Sequence, residues 1–157
     1  AMLELAVADL QGIAVDAREL GRPGPSYTVD TLEGLRHECG AERPLVWIIG
    51  ADILATLPRW SRWRALLDFA HVVVIGRPDA EPHPSEVSDW LREHKVDKAS
   101  LLSRPGGGVF TLAQPLLGIS SSDIRTMIAE GRDPRFLLPD GVMEYISNHA
   151  LFSRDLV

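Results

Sequence analysis

Three hydroxyl groups and a guanidinium lie close together in the segment Gly118–Arg125, which reads GISSSDIR. An apolar helical face with i, i+3 and i+4 spacing follows it, formed by Ile124, Met127 and Ile128. Ser120 and Asp123 have the S-x-x-D spacing of a capping box, so a helix begins here. Arg125 then falls in the first turn, where the helix dipole disfavours a cation unless an anion binds there. The spacing leaves two interpretations open, a plain cap and a phosphate site.

Other candidate residues follow two apolar runs that predict buried strands. Leu45–Ile49 is followed by Gly50 and Asp52, and His71–Ile75 is followed closely by Arg77. Ligands of parallel α/β sheets bind outside the carboxyl ends of the strands. Asp52 therefore either accepts hydrogen bonds from a ribose or caps the next helix. Arg77 either holds a phosphate or is an exposed turn residue.

Two tryptophans lie three residues apart, at Trp60 and Trp63. Trp63 shares the apolar helical face of Leu66 and Leu67, which predicts a core residue. Trp60 belongs to no such face. It is either a stacking surface for a flat ring or a partly buried loop residue.

The order of elements predicts the fold class. Two further strands are predicted, at Ile13–Asp16 and Val109–Leu112. Four further helices are predicted: one at Met2–Leu10, one led by Ser26-Tyr27-Thr28 and ending at Gly40, one capped by Ser85, and a last one bearing Val142 and Ile146. Strands that alternate with helices indicate an α/β fold, a doubly wound parallel sheet flanked by helices. We expect one domain over residues 1–157.

Composition excludes several functional classes. A net charge of −6 and a pI of about 5.3 argue against a nucleic-acid partner. Cys39 is the sole cysteine, which excludes an internal disulfide and a multi-cysteine zinc site. The five histidines show no paired metal-ligand spacing, so no protein-held metal is predicted. The sequence has no 18-residue apolar run and no signal-peptide pattern, which predicts a cytoplasmic protein with no membrane partner. The sequence does not determine the oligomeric state, and a homo-oligomer is compatible with it.

These segments together resemble bacterial nicotinate-nucleotide adenylyltransferases of the HxGH nucleotidyltransferase superfamily. The resemblance covers essentially the whole chain. Its landmarks are PSYTVDTL at Pro25–Leu32, IGAD at Ile49–Asp52, LPRW at Leu57–Trp60, the segment Ile119–Arg125 and LLP at Leu137–Pro139. The serine–arginine segment is typical of the superfamily, whereas PSYTVDTL and the tryptophan after Leu57-Pro58 are typical of the nicotinate-nucleotide branch.

The resemblance implies a Rossmann-like nucleotidyltransferase fold and adenylyl transfer from ATP to nicotinate mononucleotide, a step of NAD biosynthesis. It also implies a role for each candidate residue. ATP would be bound by Gly50, Asp52, Ile119, Ser120, Ser122 and Arg125, of which Ser120, Ser122 and Arg125 would act in catalysis. Nicotinate mononucleotide would be bound by Tyr27, Thr28, Trp60 and Arg77. Mg²⁺ would arrive with ATP.

Two departures from the family pattern stand out. Ser122 occupies a position where the family usually has threonine. The family motif G-x-F-D-P-x-H-x-G-H is absent from the 157 residues, and we expect it in a strand, loop and helix upstream of Ala1. The chain is thus expected to be the C-terminal three-quarters of an adenylyltransferase and to be inactive alone.

The sequence suggests three alternatives to this function. Pantetheine-phosphate adenylyltransferases share the serine–arginine helix, but Trp60 and the Tyr27-Thr28 pair argue against that branch. A non-catalytic nucleotide-binding module is the alternative from another class. A pure protein-interaction domain leaves Arg125 and Trp60 unexplained.

Overall fold

The computed structural model of the protein describes residues 1–76, 82–114 and 118–153. The chain separates into two compact units. The first comprises Ala1–Ala17 and Leu117–Val157, and the second comprises Arg18–Leu116.

The second unit contains a parallel sheet of three strands in the order β1-β2-β3. The strands are β1 at Val46–Gly50, β2 at His71–Ile75 and β3 at Val109–Leu112. In the register, Val46 lies beside His71, and Val72 lies beside Val109. The parallel sheet flanked by helices confirms the predicted fold class.

Helices precede and connect the strands of this unit. They are α2 at Thr28–Cys39, α3 at Leu66–Phe69, α4 at Ser85–Glu93 and α5 at Lys98–Ser103, with 3₁₀ turns at Ala51–Ala55, Leu57–Arg59 and Trp63–Ala65. The prediction for α2 is confirmed, since it ends before Gly40, whose φ of +84° suits a residue without a side chain. Ser85 is the first residue of α4 and not its cap, because Pro84 occupies that position without a side-chain hydrogen bond. Helix α5, whose cap is Asp97, was not predicted. Hydrogen bonds from Ser100 lower the pKa of the Asp97 carboxyl.

The core of the second unit lies between the sheet and its helices. It includes Val29 and Leu32 of α2, Leu54 and Leu57 of the 3₁₀ turns, and Trp63. Trp63 is buried, which confirms its predicted core position.

Strand β1 departs from the prediction of burial on both faces. Ile49 is buried, but Ile48 is 59% exposed. Val46 and Ile48 share the exposed face of β1, because side chains alternate along a strand, and Ile49 lies on the opposite, covered face. One face of the apolar run is therefore open in this structure.

The first unit is helical where it is described. Its helices are α1 at Met2–Val7, α6 at Ser121–Ala129 and α7 at Asp140–Asn148. Val142 and Ile146 are buried on α7, as predicted. The predicted strand at Ile13–Asp16 is wrong, because these residues form neither helix nor strand and Ile13 is exposed. Apolar residues form a strand only where another strand accepts their backbone hydrogen bonds. No described helix is long and apolar enough to cross a membrane.

Candidate active site

Three predicted ring-binding residues meet at one cavity in the second unit. The cavity has a volume of about 290 Å³ and is lined by Ser26, Tyr27, Thr28, Arg59, Trp60 and Ser61. Tyr27 and Thr28 stand at the N-terminal end of α2, and Trp60 follows the 3₁₀ turn Leu57–Arg59. The fold thus brings together residues about 30 positions apart in the sequence.

The indole of Trp60 packs against a second tryptophan. Its ring centroid lies 5.8 Å from that of Trp47 on β1, with the planes tilted by 54°. Leu57, three residues earlier, is completely buried and fixes the backbone of the turn. Trp60 is half-buried and lines the cavity. This position fits the partly buried alternative and leaves part of the indole for a ligand.

Helix α2 is fixed to the rest of the unit by Arg36. Its guanidinium donates to the carbonyl of Phe69 at 2.9 Å through Nε and to the carbonyl of Arg43 at 2.6 Å. It also donates to the carbonyl of Pro105. These bonds hold the C-terminal part of α2 against the segments around β2 and β3. They therefore help to fix the position of Tyr27 and Thr28 at the other end of the helix.

An ion pair joins α2 to the loop after Trp60. Arg62 has left-handed backbone angles, φ 49° and ψ 36°, and its guanidinium pairs with Asp30 in the first turn of α2. Glu33 lies 3.8 Å from the same guanidinium. Arg62 therefore balances the acidic charge on this end of α2.

Gly50 ends β1 and Asp52 follows it, at the edge of the sheet where the family resemblance implies ATP binding. Asp52 is exposed in the 3₁₀ turn Ala51–Ala55, which has no side-chain cap hydrogen bond. The capping alternative for Asp52 is therefore not what the structure shows. A Cβ atom built on Gly50 would lie 2.3 Å from Oδ1 of Asp52, so the carboxylate occupies space that only glycine leaves free.

The serine–arginine segment begins α6 in the first unit. Ser120 is the N-cap, and its Oγ accepts from the backbone N–H of Asp123 at 3.0 Å. The same hydroxyl donates to the Asp123 carboxylate at 2.7 Å. The predicted cap is confirmed, and the backbone N–H groups of Ser121 and Ser122 precede the first intrahelical hydrogen bond, which Ile124 donates to the carbonyl of Ser120.

Arg125 folds back toward the start of α6. Its Nε donates to the carbonyl of Ser121 at 3.0 Å, which brings the guanidinium over the first turn. No carboxylate among the described residues pairs with it. A cation at this end of a helix is unfavourable, so the arrangement is suited to an anion that offsets the charge.

A second cavity of about 420 Å³ lies in the first unit beside this segment. Its lining is mostly apolar and includes residues of α1, α6 and α7, with Ser121 and Arg125 among them. Ile119 is 44% exposed just before the cap. Arg77, the predicted phosphate ligand, lies outside the described residues.

Sequence reasoning missed three residues of the Trp60 cavity: Ser26, Arg59 and Ser61. Each is a direct neighbour of a residue that was predicted. A signal was therefore present, because a turn that presents Trp60 to a ligand also brings its polar neighbours to the same surface.

Comparison with known proteins identifies the family. Residues 1–127 match the cytidylyltransferase-like family. A probable nicotinate-nucleotide adenylyltransferase of Pseudomonas aeruginosa is 45% identical over 153 residues, which are 97% of this chain and 72% of that protein. One of Aeromonas salmonicida is 45% identical over 157 residues, 99% of this chain and 73% of that protein.

A likeness among solved structures concerns the fold. The Plasmodium falciparum nicotinic acid mononucleotide adenylyltransferase complexed with NaAD has a TM-score of 0.55 and 16% identity, and the match covers 82% of this chain and 58% of that one. The match to the bacterial relatives extends over nearly the whole length of this chain. The chain therefore belongs to the nicotinate-nucleotide adenylyltransferases within the cytidylyltransferase-like family.

Proposed function

We propose that this protein transfers the adenylyl group of ATP to nicotinate mononucleotide, giving deamido-NAD and pyrophosphate in NAD biosynthesis. The observation that carries the proposal is the cavity at which Tyr27, Thr28 and Trp60 meet. The names of the bacterial relatives support the same reaction. The cavity offers a flat aromatic surface beside hydroxyl groups, which suits a pyridine ring with a polar substituent.

The proposed reaction needs no covalent enzyme intermediate. A phosphate oxygen of the mononucleotide attacks the α-phosphorus of ATP, and the bond from that phosphorus to the bridging oxygen breaks as pyrophosphate leaves. Ser120, Ser122 and Arg125 would hold the ATP phosphates and offset the charge that develops on them. Gly50, Asp52 and Ile119 would position the adenosine, and Arg77 the mononucleotide phosphate. Catalysis is then positioning together with charge stabilisation.

Magnesium is proposed as part of the MgATP substrate, held by phosphate oxygens and water.

We propose the cytoplasm as the location of the protein. Cys39 is a free, half-buried thiol, which suits a reducing compartment.

The test of the function is pyrophosphate release by the full-length gene product with MgATP. We expect turnover with nicotinate mononucleotide and none with phosphopantetheine. Turnover with phosphopantetheine would assign the protein to the pantetheine-phosphate adenylyltransferases. If folded protein shows no turnover with either acceptor, a non-catalytic nucleotide-binding module is favoured.

We also propose that the 157-residue chain alone does not turn over, because it contains no H-x-G-H motif. The same assay on this chain tests the point. Turnover comparable to that of the gene product would contradict it.

Trp60→Ala should weaken binding of nicotinate mononucleotide. Stacking on an aromatic side chain is worth about 1–3 kcal/mol, so KM for this substrate should rise by at least roughly fivefold while KM for ATP stays nearly unchanged. Trp60→Phe is the matched control, since it keeps a flat ring against Trp47. An unchanged KM for the mononucleotide in Trp60→Ala would rule out the stacking role.

Gly50→Ala should disturb ATP binding with little effect on stability. The backbone angles of Gly50, φ −76° and ψ 155°, are open to alanine, but the new methyl group must displace the Asp52 carboxylate. Loss of one hydrogen bond to the ribose would cost about 1 kcal/mol, roughly a fivefold rise in KM for ATP. Gly21→Ala is the control, because a Cβ there would approach no heavy atom closer than 3.9 Å. An equal rise in KM in both variants would contradict the proposed contact.

A further inference from the structure

Arg59 is the one charged residue among the six that line the Trp60 cavity. Its neighbours along the cavity wall are hydroxyl-bearing or aromatic: Ser26, Tyr27, Thr28, Trp60 and Ser61. The wall thus carries one positive charge and no carboxylate. A cavity with this lining favours a ligand that combines a flat ring with a negative group.

The charge of Arg59 is not used within the described part of the chain. Arg62 and Arg64, which follow it closely, are paired with Asp30 and Glu86 respectively. The guanidinium of Arg59 has no ion pair and no hydrogen bond to any residue that the structure describes. Arg62 already balances Asp30, the nearest acidic residue of α2 to the cavity-lining Tyr27 and Thr28. Arg59 is consequently free to pair with a ligand.

The backbone holds Arg59 beside the stacking surface. It is the last residue of the 3₁₀ turn Leu57–Arg59, and its N–H donates to the carbonyl of Thr56 at 2.9 Å. Leu57, two residues before it, is completely buried. A ring lying against Trp60 would therefore have its substituents within reach of a long side chain that starts one residue away.

We propose that Arg59 binds the carboxylate of the nicotinate ring and sets the preference for nicotinate over nicotinamide mononucleotide. This inference rests on the proposed function. The two mononucleotides share the ring, ribose and phosphate and differ in carboxylate against neutral amide. A guanidinium forms charge-assisted hydrogen bonds with the carboxylate and gains much less from the amide.

The test measures binding of both mononucleotides to the 157-residue chain and to the full-length gene product, by calorimetry and tryptophan fluorescence. In Arg59→Gln we expect the dissociation constant for nicotinate mononucleotide to rise about tenfold, as for loss of one hydrogen bond to a charged group, and that for nicotinamide mononucleotide to change less than about twofold. Arg59→Lys keeps the charge and should recover part of the preference. Arg64→Gln is the matched control for net charge, because Arg64 pairs with Glu86 outside the cavity, and it should leave both constants unchanged.

Several outcomes would overturn the inference. Equal losses for both mononucleotides would assign Arg59 to the shared phosphate, and no loss for either would leave it without a role in binding. A wild-type protein that turns over nicotinate mononucleotide but shows no preference over the amide would refute this inference while the proposed function stands. A gene product that binds neither mononucleotide would refute both.

Discussion

Replacing Arg125 with alanine should lower kcat/KM for adenylyl transfer by about 2–4 kcal/mol in transition-state stabilisation, roughly thirtyfold to a thousandfold. The reason is the place of the side chain. Its Nε bonds to the carbonyl of Ser121, so the guanidinium lies over the first turn of α6, at the positive end of the helix. A phosphate bound there would meet both charges, and the attraction grows as negative charge moves onto the leaving pyrophosphate. The full-length gene product, assayed with MgATP and nicotinate mononucleotide, gives the measurement.

Two variants separate catalysis from stability. Arg132→Ala removes an exposed arginine of the same unit that pairs with Glu130, and it should leave kcat/KM unchanged. Ser120→Ala removes the cap and should lower the free energy of unfolding by about 1 kcal/mol in addition to any kinetic effect. A loss below tenfold in Arg125→Ala would reduce the serine–arginine segment to a capped helix.

Strands β2 and β3 were predictable because their sequence signals are local. His71–Ile75 and Val109–Leu112 form strands over the residues predicted. Each is a run of β-branched and apolar residues next to a glycine, and β2 lies between two partners, so burial agrees with composition. Gly40 likewise ends α2 where a glycine signal predicts it.

The errors lie where the outcome depends on distant partners. Ile13–Asp16 has the composition of a strand, yet the described structure gives it no strand to pair with. Ile48 on β1 is exposed, although the apolar run predicts burial on both faces. No local pattern states whether a neighbouring strand is present.

The candidate site was predicted in its residue types and missed in its pairings. Tyr27, Thr28 and Trp60 were selected from two separate segments, and the fold brings both to one cavity. Arg62 pairs with Asp30 of α2, a residue 32 positions earlier, whereas Arg59 has no ion pair among the described residues. A sequence with several nearby arginines does not reveal which one keeps its charge for a ligand.

The three glycines before β3 also show how a local interpretation falls short. Three consecutive glycines are typical of a flexible turn, and Gly107 does have a φ of +91°. Gly108 is glycine for another reason, since a Cβ there would lie 2.6 Å from a methyl carbon of Val96 and 3.0 Å from Nδ1 of His71. The turn is packed against the first residue of β2.

His71 is completely buried. The backbone N–H of Gly108 donates to Nδ1 at 3.0 Å, which leaves Nε2 to carry the proton and donate to the carbonyl of Arg104 at 3.0 Å. One imidazole therefore joins the start of β2 to both ends of the turn that leads into β3.

His71→Leu should lower the free energy of unfolding by about 2–5 kcal/mol, measured by urea denaturation. The leucine fills much of the space but leaves the buried N–H of Gly108 without a partner, at a cost of about 1–3 kcal/mol, and the part-buried bond to the carbonyl of Arg104 is lost as well. His71→Asn should be milder, because its amide oxygen can accept from Gly108 as Nδ1 does. His37→Leu, at an exposed position of α2, is the control and should change stability by less than about 0.5 kcal/mol. Equal stability of His71→Leu and the wild type would mean that the turn, and not the imidazole, holds β2 and β3 in register, whereas a large loss partly recovered in His71→Asn would assign that role to the two hydrogen bonds.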